Sequence, residues 1–100
     1  MVVISYKTLR DFGEQYRNSI DALNNWYSIM EKGDFPNFNE LRTVFNSVDA
    51  VGNDRYVFNI KGNHYRLVAL IHFRVRTVYV LFVGTHQQYD KIDASKIEYM

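Results

Sequence analysis

The most regular pattern of apolar and polar positions lies in the stretch from Arg55 to Asp90, RYVFNIKGNHYRLVALIHFRVRTVYVLFVGTHQQYD. Apolar residues alternate with polar ones on both sides of Gly62-Asn63, the pattern of two strands joined by a tight hairpin. A two-residue loop at that point pairs Lys61 with His64, Asn59 with Arg66, and Val57 with Val68. Strand side chains alternate between faces, so one face carries Tyr56, Phe58, Ile60, Tyr65, Leu67, Ala69, Ile71 and Phe73. That set is wholly apolar and is the expected core face. The other face carries Arg55, Val57, Asn59, Lys61, His64, Arg66, Val68, Leu70, His72 and Arg74, basic with an apolar middle. A third strand is expected from about Thr77 to Gly84. Any two-residue turn near Arg74 to Arg76 keeps Val78, Val80 and Phe82 in the core and puts Thr77, Tyr79, Leu81 and Val83 on the basic face. With Val75-Arg76 as the turn, Thr85 falls opposite Arg66; a turn one residue longer inverts the assignment.

The pattern changes period before that stretch. Val2, Val3 and Ile4 form a short β-branched run suited to a first strand. Leu9, Phe12 and Tyr16 follow at helical spacing, with Thr8 and Asp11 in the arrangement of a capping box and Gly13 weakening the helix. A break near Asn18-Ser19 supplies a fresh cap. Ile20, Leu23, Tyr27 and Met30 then make a second amphipathic stripe with Trp26 beside it. Gly33 is placed to cap that helix, and Pro36 stops it from resuming. The short connection predicts an antiparallel helical hairpin. Residues 34–54 are less patterned: Leu41, Val44 and Phe45 suit one or two helical turns starting from Asn39, and Gly52-Asn53 is a turn signal. The expected architecture is a single α+β domain spanning residues 1–100. It has an N-terminal strand and a helical hairpin packed on a three-stranded antiparallel sheet, with a short C-terminal helix.

Composition narrows the class. With 47% hydrophobic and 16% aromatic residues the chain can bury enough apolar surface to fold. The absence of cysteine removes disulfides, zinc–thiolate sites and thiol chemistry. No apolar run is long enough to span a bilayer, and the N-terminus lacks the layout of a signal peptide, so a cytoplasmic protein is expected. Net charge is only +1, but its distribution is uneven. Residues 1–54 hold five basic and eight acidic side chains, residues 55–89 five basic and none acidic, and residues 90–100 two basic and three acidic. The acid-free sheet segment is where a polyanion would be met.

Four segments converge at one end of the basic face in this register: Lys61 and His64 by the hairpin, Arg66 on the central strand, and Thr85-His86 at the exit of the third. A helical turn after Thr85 puts His86 and Tyr89 on one side. Cutting RNA without a metal needs a base for the 2′-OH, an acid for the leaving 5′-oxygen and cations for the phosphorane. His86 and Tyr89 are the candidate proton-transfer groups, and Arg66 and Lys61 the fixed charges. Arg55, Asn59, His64, Arg74 and Arg76 are candidates for RNA contact. Plainer readings stand beside these: His72 as a packed surface histidine, Arg74 and Arg76 as turn or edge charges, Tyr89 as an anchor for the C-terminal turn. No nucleotide-loop, zinc-protease or serine-hydrolase motif is present, and the three histidines lack metal-ligand spacing. Neither cofactor nor metal is expected.

The segments R-Y-V-F-N-I-K-G-N-H-Y-R-L-V and V-G-T-H-Q-Q-Y-D-K-I closely resemble the HigB-type toxins of bacterial toxin–antitoxin modules, within the wider RelE-like group of mRNA interferases. The likeness spans at least Phe45 to Ala94. It implies a RelE-like fold and a ribosome-dependent endoribonuclease that cuts mRNA through a 2′,3′-cyclic phosphate, without cofactor. It also implies silencing by a cognate HigA-type antitoxin, expected to be a helix-turn-helix protein, in a hetero-oligomeric complex. The family's pattern falls on Asn59, Gly62, Asn63, Tyr65 and Arg66, then on Thr85, His86, Tyr89 and Asp90. Two positions depart from it: Gln88, where glutamate is frequent, and His64, where lysine is. An acidic amphipathic antitoxin segment would suit the exposed Val68 and Leu70 of the basic face. The alternatives are a non-catalytic toxin on the same scaffold, such as a gyrase inhibitor, and a plain RNA-binding module.

Overall fold

A computed structural model describes residues 1–99. In chain order the elements are β1 (Val2–Ile4), α1 (Tyr6–Gln15), α2 (Ile20–Lys32), α3 (Phe38–Val44), β2 (Asp49–Gly52), β3 (Arg55–Ile60), β4 (Tyr65–His72), β5 (Thr77–Thr85) and α4 (His86–Tyr89). Single 3-10 turns cover Arg17–Ser19 and Phe73–Val75.

The N-terminal half folds as its periodicity predicts, with different chemistry at the ends. α1 starts from Ser5 in the left-handed region (φ 77°) and has no side-chain cap. The Thr8–Asp11 box does not form; the Asp11 carboxylate pairs with Lys7 at 2.8 Å instead. The expected break falls at Arg17–Ser19, but Ser19 caps nothing: it is fully buried and its hydroxyl donates to the Tyr16 carbonyl at 2.6 Å. Gly13 is needed for packing, since a Cβ there would sit 2.9 Å from Ile20 Cγ1. The Gly13–Ile20 contact and the edge-on pair of Tyr6 with Tyr27 set α1 antiparallel to α2. Trp26 is a central core residue, 2% exposed. The helix placed from Asn39 begins one residue earlier, because the Asn37 side chain accepts the Glu40 N–H at 2.9 Å.

The sheet has five strands, not three, in the order β1-β5-β4-β3-β2. β1 joins β5 in parallel, and β2 adds to β3 antiparallel. The hairpin register is the one read from Gly62-Asn63: Val57 faces Val68 and Asn59 faces Arg66. The core face also holds, with Phe58, Ile60, Tyr65, Leu67, Ala69 and Ile71 buried under the helices together with Leu9, Leu23, Trp26 and Met30.

β5 departs from the expectation. His72 pairs with Thr77 across the Phe73–Val75 turn, which keeps Val78 and Val80 in the core. A bulge then shifts the register between Ala69↔Val80 and Val68↔Phe82. The extra residue reverses the faces, so Phe82 joins the outer cluster and Val83 packs on the core. Thr85 accordingly faces Tyr65, and Gly84 takes the place opposite Arg66.

The outer face is not open in its middle. Val57 and Val68 are buried beneath Ala94, with Ile92, Ile97, Leu81, Phe82, Tyr89 and Val51 around them. The chain after α4 doubles back across the sheet as a strap. Its Ser95 carbonyl accepts from Asn53 Nδ2 at 2.8 Å. The Ile97 carbonyl accepts from Arg55 Nε and Nη2 at 3.1 and 2.7 Å. The surface expected to receive an antitoxin segment over Val68 is therefore filled by the chain itself.

Candidate active site

The end of β5 delivers His86 beside the central strand, because Tyr65–Arg66 of β4 run opposite Thr85–Gly84. α4 can start there for a local reason. The Thr85 hydroxyl oxygen accepts the Gln88 N–H at 3.1 Å, and Gln88 Oε1 accepts the Thr85 N–H at 2.9 Å. This reciprocal box fixes the first turn. Glutamine supplies the acceptor oxygen as well as glutamate would, which accounts for Gln88 without any role in chemistry. Gly84 makes room: a Cβ there would collide with the Phe82 ring and with Gln88 Oε1.

His86 is half exposed at the start of α4, and its Nδ1 lies 3.2 Å from the Asp90 carboxylate one turn later. With Nδ1–H donated to Asp90, Nε2 is left with its lone pair toward solvent. Tyr89, at the end of α4, leans into the outer cluster. Its phenol is held above the usual tyrosine value, first by burial and then by the carboxylates of Asp49 and Asp90, against the pull of Arg66. It stays protonated at neutral pH.

The hairpin brings the cations. Lys61 and Gly62 both adopt left-handed backbone (φ 53° and 63°), so the loop is not the mirror-image turn centred on Gly62-Asn63, although the register is unchanged. Lys61 and His64 close it: the His64 N–H reaches the Lys61 carbonyl at 3.2 Å and the ring Nδ1 reaches the same oxygen at 2.8 Å. Arg66 Nη1 donates to the Asn63 and Tyr65 carbonyls at 3.2 and 3.3 Å. Among the described residues neither Arg66 nor Lys61 forms an ion pair.

Lys61, His64, Arg66, Asn59, His86 and Tyr89 thus gather at the hairpin end of the sheet. Arg55, Arg74 and Arg76 do not. Arg55 faces Leu70 nearer the other end and holds the strap. Arg76 pairs with Asp34 and donates to the Phe73 carbonyl. Arg74 is exposed on the Phe73–Val75 turn at the far end. His72 lies there too, its ring 6.0 Å from that of Tyr79. Two acids beside the site were not among the candidate site residues, although Asp90 falls in the family's pattern. Asp90 carried a signal, the i,i+4 spacing from His86. Asp49 carried none, because it reaches the site through β2, which had not been recognised as a strand.

The HigB toxin family, described as the RelE-like toxic component of a toxin–antitoxin system, matches residues 19–92. The mRNA interferase HigB of Escherichia coli O6:H1 is 31% identical over 94 residues, which cover 92% of this chain and 91% of the relative. The mRNA interferase toxin HigB of Escherichia coli strain K12 is 36% identical over 95 residues, covering 90% of this chain and 88% of the relative.

Proposed function

The chain belongs to the HigB family of RelE-like toxins, and we propose that it acts as their names describe, as a toxin of a toxin–antitoxin system that cleaves mRNA, with the hairpin end of its sheet as the active site. The observation that carries the assignment of the site is the meeting of the His86–Asp90 pair, protonated Tyr89 and unpaired Arg66 on one surface.

The chemistry runs from those groups. His86 Nε2 takes the proton of a ribose 2′-OH, and the Asp90 carboxylate steadies the imidazolium that forms. The 2′-oxygen bonds to the adjacent phosphorus, and the bond from phosphorus to the 5′-oxygen breaks, leaving a 2′,3′-cyclic phosphate. Tyr89 donates its proton to the departing 5′-oxygen. Arg66 and Lys61 face the phosphorane, where an added negative charge develops. Asn59 and His64 contact the RNA on either side. Arg55, Arg74 and Arg76 lie outside this surface, and Arg55 and Arg76 serve the fold.

The substrate is mRNA held on the ribosome, and the whole of residues 1–100 acts as one toxin unit in the cytoplasm. A HigA-type helix-turn-helix antitoxin neutralises it in a hetero-oligomer, from a surface other than the strap-covered face. Among the described residues no helix is long and apolar enough to cross a membrane. Primer extension on translated mRNA tests the assignment: wild type gives discrete 5′-ends, and His86→Ala and Arg66→Ala lose them. Undiminished ends with either variant would remove that residue from the mechanism.

A further inference from the structure

A second recess adjoins this site on the helix side of the hairpin. It has a volume of about 190 Å³ and is walled by Ala22, Asn25, Trp26, Phe45, Asn59 and Lys61, among others. Asn59 and Lys61 are shared with the active surface, so the recess opens where that surface turns the sheet edge. β2 pairs only with Arg55, Tyr56 and Val57, so no strand covers the β3 edge from Phe58 to Ile60.

The recess has the composition of a base-binding pocket. Phe45 offers an aromatic surface, and Asn25 and Asn59 offer amides beside Lys61. Trp26, 98% buried by its 2% exposure, has an indole N–H with no hydrogen-bond partner among the described residues. That N–H is closed off from solvent, so Trp26 contributes to the wall of the recess and supplies no hydrogen bond there. A volume of about 190 Å³ is many times the ~10–15 Å³ that one water requires.

We propose that the recess bounded by Asn25, Trp26, Phe45 and Lys61 is a nucleobase subsite, which takes the base of an mRNA nucleotide flanking the cleaved phosphodiester and gives the enzyme a sequence preference there. The inference rests on the mRNA-cleaving function proposed above. Unstacked bases are the parts of RNA that proteins read by sequence, and stacking with hydrogen bonding at one base is worth on the order of ten-fold in affinity.

The test maps the 5′-ends of cleaved mRNAs in a translation extract for wild type, Ala22→Leu and Asn25→Ala. Leucine at position 22 fills the recess; Asn25 is exposed, so its truncation leaves the fold intact. The expected result is a wild-type bias toward certain bases at one fixed position beside the cut. Both variants still cleave, but the bias flattens and cutting at preferred sites falls roughly ten-fold. Cleavage with the same bias in both variants overturns the subsite and leaves the nuclease standing. A wild-type pattern without positional bias does the same. No cleavage by the wild type overturns the function and the subsite together.

Discussion

The two faces of the sheet are covered in different ways. The inner face lies under α1, α2 and α3, where Trp26, Phe58, Leu23, Met30, Leu41, Leu67 and Ile71 are almost fully excluded from water. The outer face lies under a strap with only Val57, Val68 and Ala94 in its buried centre, fastened by side chains of Asn53 and Arg55. Both proton-transfer candidates, His86 and Tyr89, belong to the outer cover. The thick face fixes the fold, and the thin one holds the proposed site. Residues on the two faces should therefore fail in different assays.

The largest separation is expected from His86→Ala. Losing a positioned acid or base lowers rates by roughly 10²–10⁴-fold, while the urea midpoint stays near that of wild type because His86 is half exposed. A large drop in stability would show that the outer face also holds the fold. Leu67→Ala is the converse. It empties a fully buried position and should cost about 2–5 kcal/mol in denaturant titrations.

Arg55→Ala falls between the two. It removes a charged clamp on the Ile97 carbonyl, and such bonds are worth about 1.5–3 kcal/mol. Amides of residues 92–97 should exchange roughly ten-fold faster or more, with those of β4 unchanged. Parallel acceleration in β4 would mean that strap and core open as one unit.

Tyr89→Phe acts through pH. The folded chain disfavours the phenolate, so the unfolded chain releases its proton first as pH passes the ordinary 10.0. The stabilisation is whole below that value and declines above it. Thermal melts of the variant should show a shallower alkaline loss than wild type. The smallest effect is expected for Gln88→Glu, which preserves the reciprocal acceptor of the Thr85 box. A change in cleavage rate beyond a few-fold would give position 88 a part in the chemistry.

Legibility in the sequence follows the same division. Positions 55–73 could be read because one face is buried and the other polar, and Gly62-Asn63 marked the register. β5 could not be read past Val80, because Val78 to Val83 is apolar at nearly every position. Without alternation, nothing marks the bulge at Leu81 that turns Phe82 outward and Val83 inward. β2 escaped because its four residues are mostly exposed and pair through backbone alone, leaving no burial pattern. The strap escaped because Ile92, Ala94 and Ile97 have neither strand nor helix spacing, and its fasteners are side chains from elsewhere in the chain. The charge excess of residues 55–89 pointed to the half of the molecule that carries the candidate site but overcounted: Arg55 and Arg76 serve structural bonds, while two acids enter the site from outside that window.

The parallel pairing of β1 with β5 has a consequence for biosynthesis. Val2–Ile4 are made long before the strand they join, which immediately precedes His86. Until then the edge that β1 presents has no partner. Long-range pairing of this kind also forms slowly. The candidate site at the exit of β5 is thus assembled long after β1 is made.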